Sequence, residues 1–256
     1  MNDYLYIKNI LKAYNSNQVL DGVSISLKKN QIASIIGKSG AGKTTLFNIL
    51  AGFESPDSGE VFINGIDVTN SKKNISYMTQ KSLLLPYLNV LDNVCISFRV
   101  KQSKYHKNKQ SAYDIAIPIL KQFGLFDHAY KYPAQLSGGM KQRVAFIRAF
   151  LKESDLLLFD EPFSALDTFT KQSIYKWFIN MYNKSDIFNS GINPNKTIIF
   201  ITHDISEAIY LSDKVFVLDN SKIILELDIK KPSNLSNFTQ SEEFFSYYNQ
   251  IINLYE

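Results

Sequence analysis

Apolar and polar positions alternate over Tyr4–Ile10 and again over Val23–Leu27, the two-residue period of half-buried strands. A polar stretch, Asn15–Gln18, lies between them. This pattern predicts an antiparallel hairpin or small sheet. Gln31–Ile36 is a nearly continuous apolar run, as in a strand buried on both faces, and Leu46–Leu50 has helical spacing that continues to about Ala51. Gly52–Gly59, with Pro56 between its terminal glycines, reads as a turn-rich connector. Val61–Val68 returns to strand around an Asn64-Gly65 turn signal, and Ile75–Thr79 is a further short strand.

From Leu83 the period changes. Val90–Phe98, Ala112–Phe123 and Phe126–Tyr130 carry helical spacing, so residues from about 84 to 151 read as an all-helical insert closing with the helix Val144–Leu151. Leu156–Phe159 is a short apolar strand, Phe169–Met181 a helix and Asn183–Asn195 a polar loop. Lys196–Ile201 is a β-branched strand, and Lys214–Leu218 with Lys222–Leu227 forms a final hairpin around Asp219–Ser221. Pro232–Asn237 reads as a linker, and Ser241–Leu254 again has helical spacing. Strands alternating with helices, without an internal repeat, indicate an α/β fold: a main domain over 1–230 and a short linker and helix over 231–256.

Composition adds bounds to this picture. The 256 residues suffice for a large core, and 45% hydrophobic with 20% charged residues is ordinary for a globular chain. No run approaches the ~18 apolar residues of a membrane span, and the strand-like N-terminus does not read as a signal peptide. The one cysteine, Cys95, excludes an intrachain disulfide framework and is expected to fill apolar space. A net charge of +4 is too mild to argue for nucleic acid. The basic stretch Lys101, Lys104, His106, Lys107 and Lys109 admits two readings, a solvated loop or a contact with acidic lipid headgroups.

The candidate chemistry centres on Gly37-Lys38-Ser39-Gly40-Ala41-Gly42-Lys43-Thr44-Thr45, which fits G-x-x-x-x-G-K-[ST] between a predicted strand and a predicted helix. Such glycines let backbone N–H groups turn toward phosphate oxygens at a helix N-terminus. Lys43 is expected to reach the β- and γ-phosphates and Thr44 to offer its hydroxyl to Mg²⁺. The strand Leu156–Phe159 ends in Asp160-Glu161-Pro162; Asp160 suits Mg²⁺, directly or through water, and Glu161 suits polarising an attacking water. Ser137 is a good N-cap, which makes Leu136-Ser137-Gly138-Gly139-Met140-Lys141-Gln142-Arg143 a second exposed helix start. His203, at another strand end, is a candidate sensor of the γ-phosphate. Tyr14 is either hairpin packing or an apolar face for adenine.

Together these strings resemble the nucleotide-binding subunit of an ATP-binding cassette (ABC) transporter over nearly the whole chain. In family order they are GKSGAGKTT (Walker A), Gln80 (Q-loop), LSGGMKQR (signature), LLLFDEP (Walker B), Ser164-Ala165-Leu166-Asp167 (D-loop) and Thr202-His203-Asp204 (H-loop). The resemblance implies a P-loop NTPase core sheet with an antiparallel β subdomain and an inserted all-helical subdomain. It implies ATP and Mg²⁺, with Tyr14 on adenine and Gly37 through Thr45 on phosphate. Thr44, Gln80 and Asp160 would attend the metal, Glu161 would be the base, and Gln80 and His203 would read the γ-phosphate. Ser137, Gly138, Gly139 and Asp167 would face the nucleotide of a second cassette packed head to tail. The remaining implied partners are permease subunits in the membrane and, indirectly, an extracytoplasmic solute-binding protein, so the chain would sit peripherally on the cytoplasmic face.

Leu84-Leu85-Pro86-Tyr87-Leu88-Asn89-Val90-Leu91-Asp92-Asn93-Val94, Met140 and Asp160–Asp167 are similar to importer cassettes of the nitrate, sulfonate and taurine group. Tyr87 departs from the Trp common there, and pyrimidine-precursor importers look much alike, so the solute stays open. The roughly 30 residues after the last predicted hairpin strand are too few for an appended regulatory barrel. Exporter cassettes and soluble cassettes acting on nucleic acid or ribosomes are the rival readings. The latter typically join two cassettes or insert long coiled coils, neither of which is present. Asn183-Lys184-Ser185-Asp186 matches the guanine-reading N-K-x-D, but in a polar stretch rather than at a strand end.

Overall fold

The computed structural model describes residues 3–71, 74–99, 109–182, 196–232, 235 and 237–255. Most of the basic stretch (Lys101, Lys104, His106 and Lys107) lies outside them. So do the loop 183–195 with its Asn183-Lys184-Ser185-Asp186 string, and Ser233, Asn234 and Ser236 of the predicted linker. The described residues fall into two compact units, one within Met1–Ile75 and Lys196–Glu256, the other within Ser76–Asn195.

In the first unit, β1 (Leu5–Tyr14) and β2 (Asn17–Leu27) form an antiparallel hairpin. Asn15 and Ser16 turn it with φ of 45° and 69°, left-handed values that match the twist of a two-residue hairpin loop. Both strands run further toward the turn than alternation predicts, and Tyr14 belongs to β1 rather than to the connection. Register shifts between Ile7 and Ile10, Ile10 and Lys12, and Lys12 and Ala13 explain this, because each one breaks the two-residue period. The expected strand Val61–Val68 is two strands, β4 (Ser58–Ile63) and β5 (Ile66–Asp67), folded at Asn64-Gly65. The sheet order is β2-β1-β4-β5.

A second set of strands in this unit has β3 (Ile32–Ile36) parallel to both β8 (Thr197–Ile201) and β9 (Lys214–Asp219), with β10 (Lys222–Asp228) antiparallel to β9. Every residue of β3 and β8 is buried, the polar Ser34 and Thr197 included, as in parallel strands covered on both faces. Helices α1 (Lys43–Ala51), α6 (Ile205–Leu211) and α7 (Glu242–Ile252) complete the unit. Ser241 caps α7 by accepting from the Phe244 amide at 3.2 Å. Phe244 and Ile251 then join Ile36, Ile209, Val215 and Val217 in one core, so α7 is packed on the strands that carry the site.

In the second unit β6 (Ile75–Met78) neighbours β7 (Leu156–Asp160). Helices α2 (Val90–Val94), α3 (Lys109–Gln122), α4 (Gly138–Leu151) and α5 (Thr168–Tyr182) make up the rest. Among the described residues of 84–151 there is no strand, as the sequence predicts. The expected Phe126–Tyr130 helix shrinks to a 3₁₀ turn, Phe126–His128, behind Gly124 at φ 63°. Phe146 of α4 centres an aromatic core, 4.7 Å from the Phe159 ring and 5.8 Å from Phe123, with Trp177 edge-on. Cys95 is buried.

Candidate nucleotide site

The loop 37–42 joins β3 to α1, and two of its glycines are demanded by close approach. A Cβ on Gly37 would stand 2.1 Å from the Leu218 carbonyl oxygen of β9. One on Gly42, whose φ is 101°, would stand 2.5 Å from the Val19 carbonyl oxygen. Helix α1 starts at Lys43 rather than at the first apolar residue, so Lys43, Thr44 and Thr45 form its first turn, where backbone N–H groups lack helical partners. Thr44 is exposed, and Ser39 and Gly40 (φ 80°) lie at the loop surface. The Ala41 amide donates to the Lys38 carbonyl at 3.2 Å. The Lys43 ammonium donates to the Gly37 and Lys38 carbonyls at 2.7 and 2.8 Å, so the cation sits over the loop. Gly37→Ala is expected to cost about 1–3 kcal/mol of stability through overpacking against β9, read as a lower denaturation midpoint with weakened nucleotide binding.

Tyr14 stands at the end of β1, 43% exposed. Its hydroxyl donates to Glu54, and Lys12 Nζ lies 5.5 Å from its ring centroid. Partial burial and the Glu54 bond raise its pKa, while a hydrogen bond with Thr45 of α1 opposes them. The ring is thereby fixed relative to the phosphate loop. His203 is exposed between β8 and α6. Thr202 accepts from the Asp204 amide at 3.1 Å and Asp204 caps α6 through the Glu207 amide at 3.1 Å, so the outer residues of this triplet do structural work. Lys38 Nζ lies 5.2 Å from the ring of Tyr255, a contact between the phosphate loop and the residues after α7 that no local sequence signal announces.

In the second unit, β7 delivers Asp160 and Glu161 as expected. Asp160 is buried, with the Tyr77 hydroxyl of β6 bonded to it; burial first, then the Asp160 charge, drives the Tyr77 pKa far up. Glu161 has φ 50°, a strained value for a residue with a side chain and a recurrent feature of functional positions. Gln80 Nε2 donates to Glu161 Oε2 at 3.1 Å, bringing the Q-loop and the proposed base together.

Ser137 accepts from the Met140 amide at 3.3 Å and caps α4, whose first residues are Gly138 and Gly139. The expected helix Val144–Leu151 therefore begins six residues earlier, inside the signature. Glycine is a poor helix former, which hides that start from periodicity. Asp167 accepts from the Thr170 amide (3.0 Å) and hydroxyl (2.6 Å) just before α5, and these bonds lower its pKa.

Among the described residues, no group of three or more His, Cys, Asp or Glu could hold a metal unaided. Thr44 in the first unit, and Gln80 and Asp160 in the second, each carry a hard oxygen of the kind that Mg²⁺ takes. With the Gln80 amide nitrogen on Glu161, its carbonyl oxygen is the end suited to a cation.

Residues 20–164 match the ABC transporter family. The chain belongs to that family, as an ATP-binding cassette. The formylaminopyrimidine import ATP-binding protein ThiZ of Halalkalibacterium halodurans is 36% identical over 242 residues, covering 94% of this chain and 90% of that protein. The aliphatic sulfonates import ATP-binding protein SsuB of Pseudomonas fluorescens is 32% identical, covering 89% and 78%. The bacterial ABC transporter cassette MJ0796, solved as a dimer, superposes with a TM-score of 0.76 at 27% identity, covering 89% of this chain and all of that one. A second MJ0796 dimer, in a post-hydrolysis state with ADP and Pi, gives 0.75 at 28% identity, with the same coverage. This cassette is an ATPase, and its P-loop NTPase fold with antiparallel β and helical subdomains is the one the sequence indicates. Sequence reasoning missed Tyr77, Glu54 and Tyr255, which carry no signal outside the fold.

Proposed function

We propose that this chain is the ATP-hydrolysing subunit of an ABC importer, working as a head-to-tail pair of cassettes beneath separate permease subunits. The observation that carries the pairing is the second helix start. The α4 N-terminus is capped and exposed at Ser137 and Gly138, with Gly139 half-buried, and a Cβ on Gly138 would meet nothing within 4 Å, although the chain has one phosphate loop for its own nucleotide. A second cassette, most simply another copy, supplies the ligand that this start suits.

In that arrangement Tyr14 stacks on adenine, while Gly37, Lys38, Ser39, Gly40, Ala41, Gly42, Lys43, Thr44 and Thr45 wrap the phosphates. Ser137, Gly138, Gly139 and Asp167 face the partner cassette's nucleotide. Thr44, Gln80 and Asp160 would hold Mg²⁺, which when bound neutralises charge on the transferring phosphoryl group. Glu161 orients and deprotonates the attacking water, and His203 and Gln80 read the γ-phosphate. Similarity to importer subunits for formylaminopyrimidine and aliphatic sulfonates supports the direction of transport and a peripheral place on the cytoplasmic face. No described helix is long and apolar enough to cross a membrane. In the proposed arrangement the solute path is a permease on other chains, fed by an extracytoplasmic solute-binding protein. Tagged chain purified from detergent-solubilised membranes is expected to bring down multi-span membrane proteins in fixed stoichiometry. Recovery of ribosomes or nucleic acid instead would overturn the importer reading.

A further inference from the structure

Gln142 is 4% exposed and every bond of its amide runs to the segment that carries Glu161. Its Nε2 donates to the Glu161 carbonyl at 2.7 Å and to Ser164 Oγ at 3.1 Å, and its Oε1 accepts from the Ala165 amide at 2.8 Å. The carbonyl it holds belongs to the residue with the left-handed backbone, φ 50°. Such a conformation persists where surrounding bonds over-determine it.

The carboxylate of Glu161 meets Gln80, and its backbone meets Gln142, so the two amides fix opposite ends of one residue. Gln142 stands about one turn into α4, and a Cβ on Gly139 would stand 3.0 Å from the Ala165 carbonyl oxygen, so the start of α4 lies directly against the same segment. Further along, Arg148 donates to the Ser82 and Leu83 carbonyls, both at 2.9 Å, tying the chain beyond Gln80 to the same helix.

We propose that Gln142 is a positioning residue for hydrolysis: by holding the Glu161 carbonyl and residues 164–165 on α4, it sets the direction in which the Glu161 carboxylate points. The proposal rests on the reading of Glu161 as the base. A buried glutamine that served packing alone would not need all three bonds on one five-residue segment, nor one on the strained carbonyl.

Steady-state turnover of the full chain with ATP and magnesium tests it. Gln142→Ala is expected to lower kcat by up to about 100-fold, the scale of a misplaced reacting group, with KM for ATP within about twofold of wild type. Gln142→Glu keeps the acceptor for the Ala165 amide but loses the donor to Glu161. It is expected to show the same split, and it decides the matter if the alanine variant fails to fold. Wild-type kcat in a folded variant, or a raised KM at unchanged kcat, overturns the role. If Glu161→Gln is inactive while both Gln142 variants turn over normally, this inference alone falls. If Glu161→Gln still turns over, the reading of the base falls and takes the inference with it.

Discussion

Glu161→Gln is expected to reduce ATP turnover by about 10²–10⁴-fold, the usual contribution of a positioned general base, while ATP still binds. The substitution changes one atom, so the neighbours of Glu161 fare unequally. The backbone carbonyl keeps its bond from Gln142, since that contact does not involve the side chain. The amide oxygen of the new side chain can still accept from Gln80, which now donates to Oε2. What is lost is the capacity to take a proton. Because the γ-phosphate is then retained, two cassettes are expected to stay closed around it. Size-exclusion chromatography with ATP and magnesium should move the variant to dimer mass, and single-turnover phosphate release should be nearly absent. Release at the wild-type rate would remove Glu161 from the chemistry.

Lys43→Ala is expected to fail at the earlier step, weakening ATP binding about 10- to 100-fold, as expected for loss of a charged hydrogen bond of about 1.5–3 kcal/mol. The ammonium now donates to the Gly37 and Lys38 carbonyls. Its removal therefore takes away a positive charge and leaves the turn preceding α1 without that brace. Titration with a fluorescent ATP analogue separates the two variants. Lys43→Ala should shift the dissociation constant, whereas Glu161→Gln should leave it near wild type. Unchanged affinity in Lys43→Ala would show that the loop amides and the α1 N-terminus hold the phosphates without the side chain.

Much of the site was legible along the chain because its parts are local. A strand, six turn residues and a helix start are contiguous, and the conformations Gly40 and Gly42 adopt, at φ 80° and 101°, are those for which glycine is the residue of choice. β7 announced itself by an apolar run ending in two acids, the first of which, Asp160, is still buried within the strand. The hairpin was partly missed for the converse reason. Bulges along β1 shift the phase of alternation, so its last three residues, Lys12 to Tyr14, look irregular although they are paired with β2.

The sequence by itself determined the class of fold, the nucleotide chemistry and the identity of nearly every residue proposed to touch phosphate or metal. Those depend on runs of consecutive residues whose backbone requirements are written in their side chains. The tertiary structure alone decided what holds those residues in place: Tyr77 on Asp160, Glu54 on Tyr14, Tyr255 over Lys38, and Gln142 on the strained Glu161 carbonyl. Partners 19 to 217 positions apart are joined by hydrogen bonds and ring contacts that leave no period and no local composition, so they exist as information only once the chain has folded.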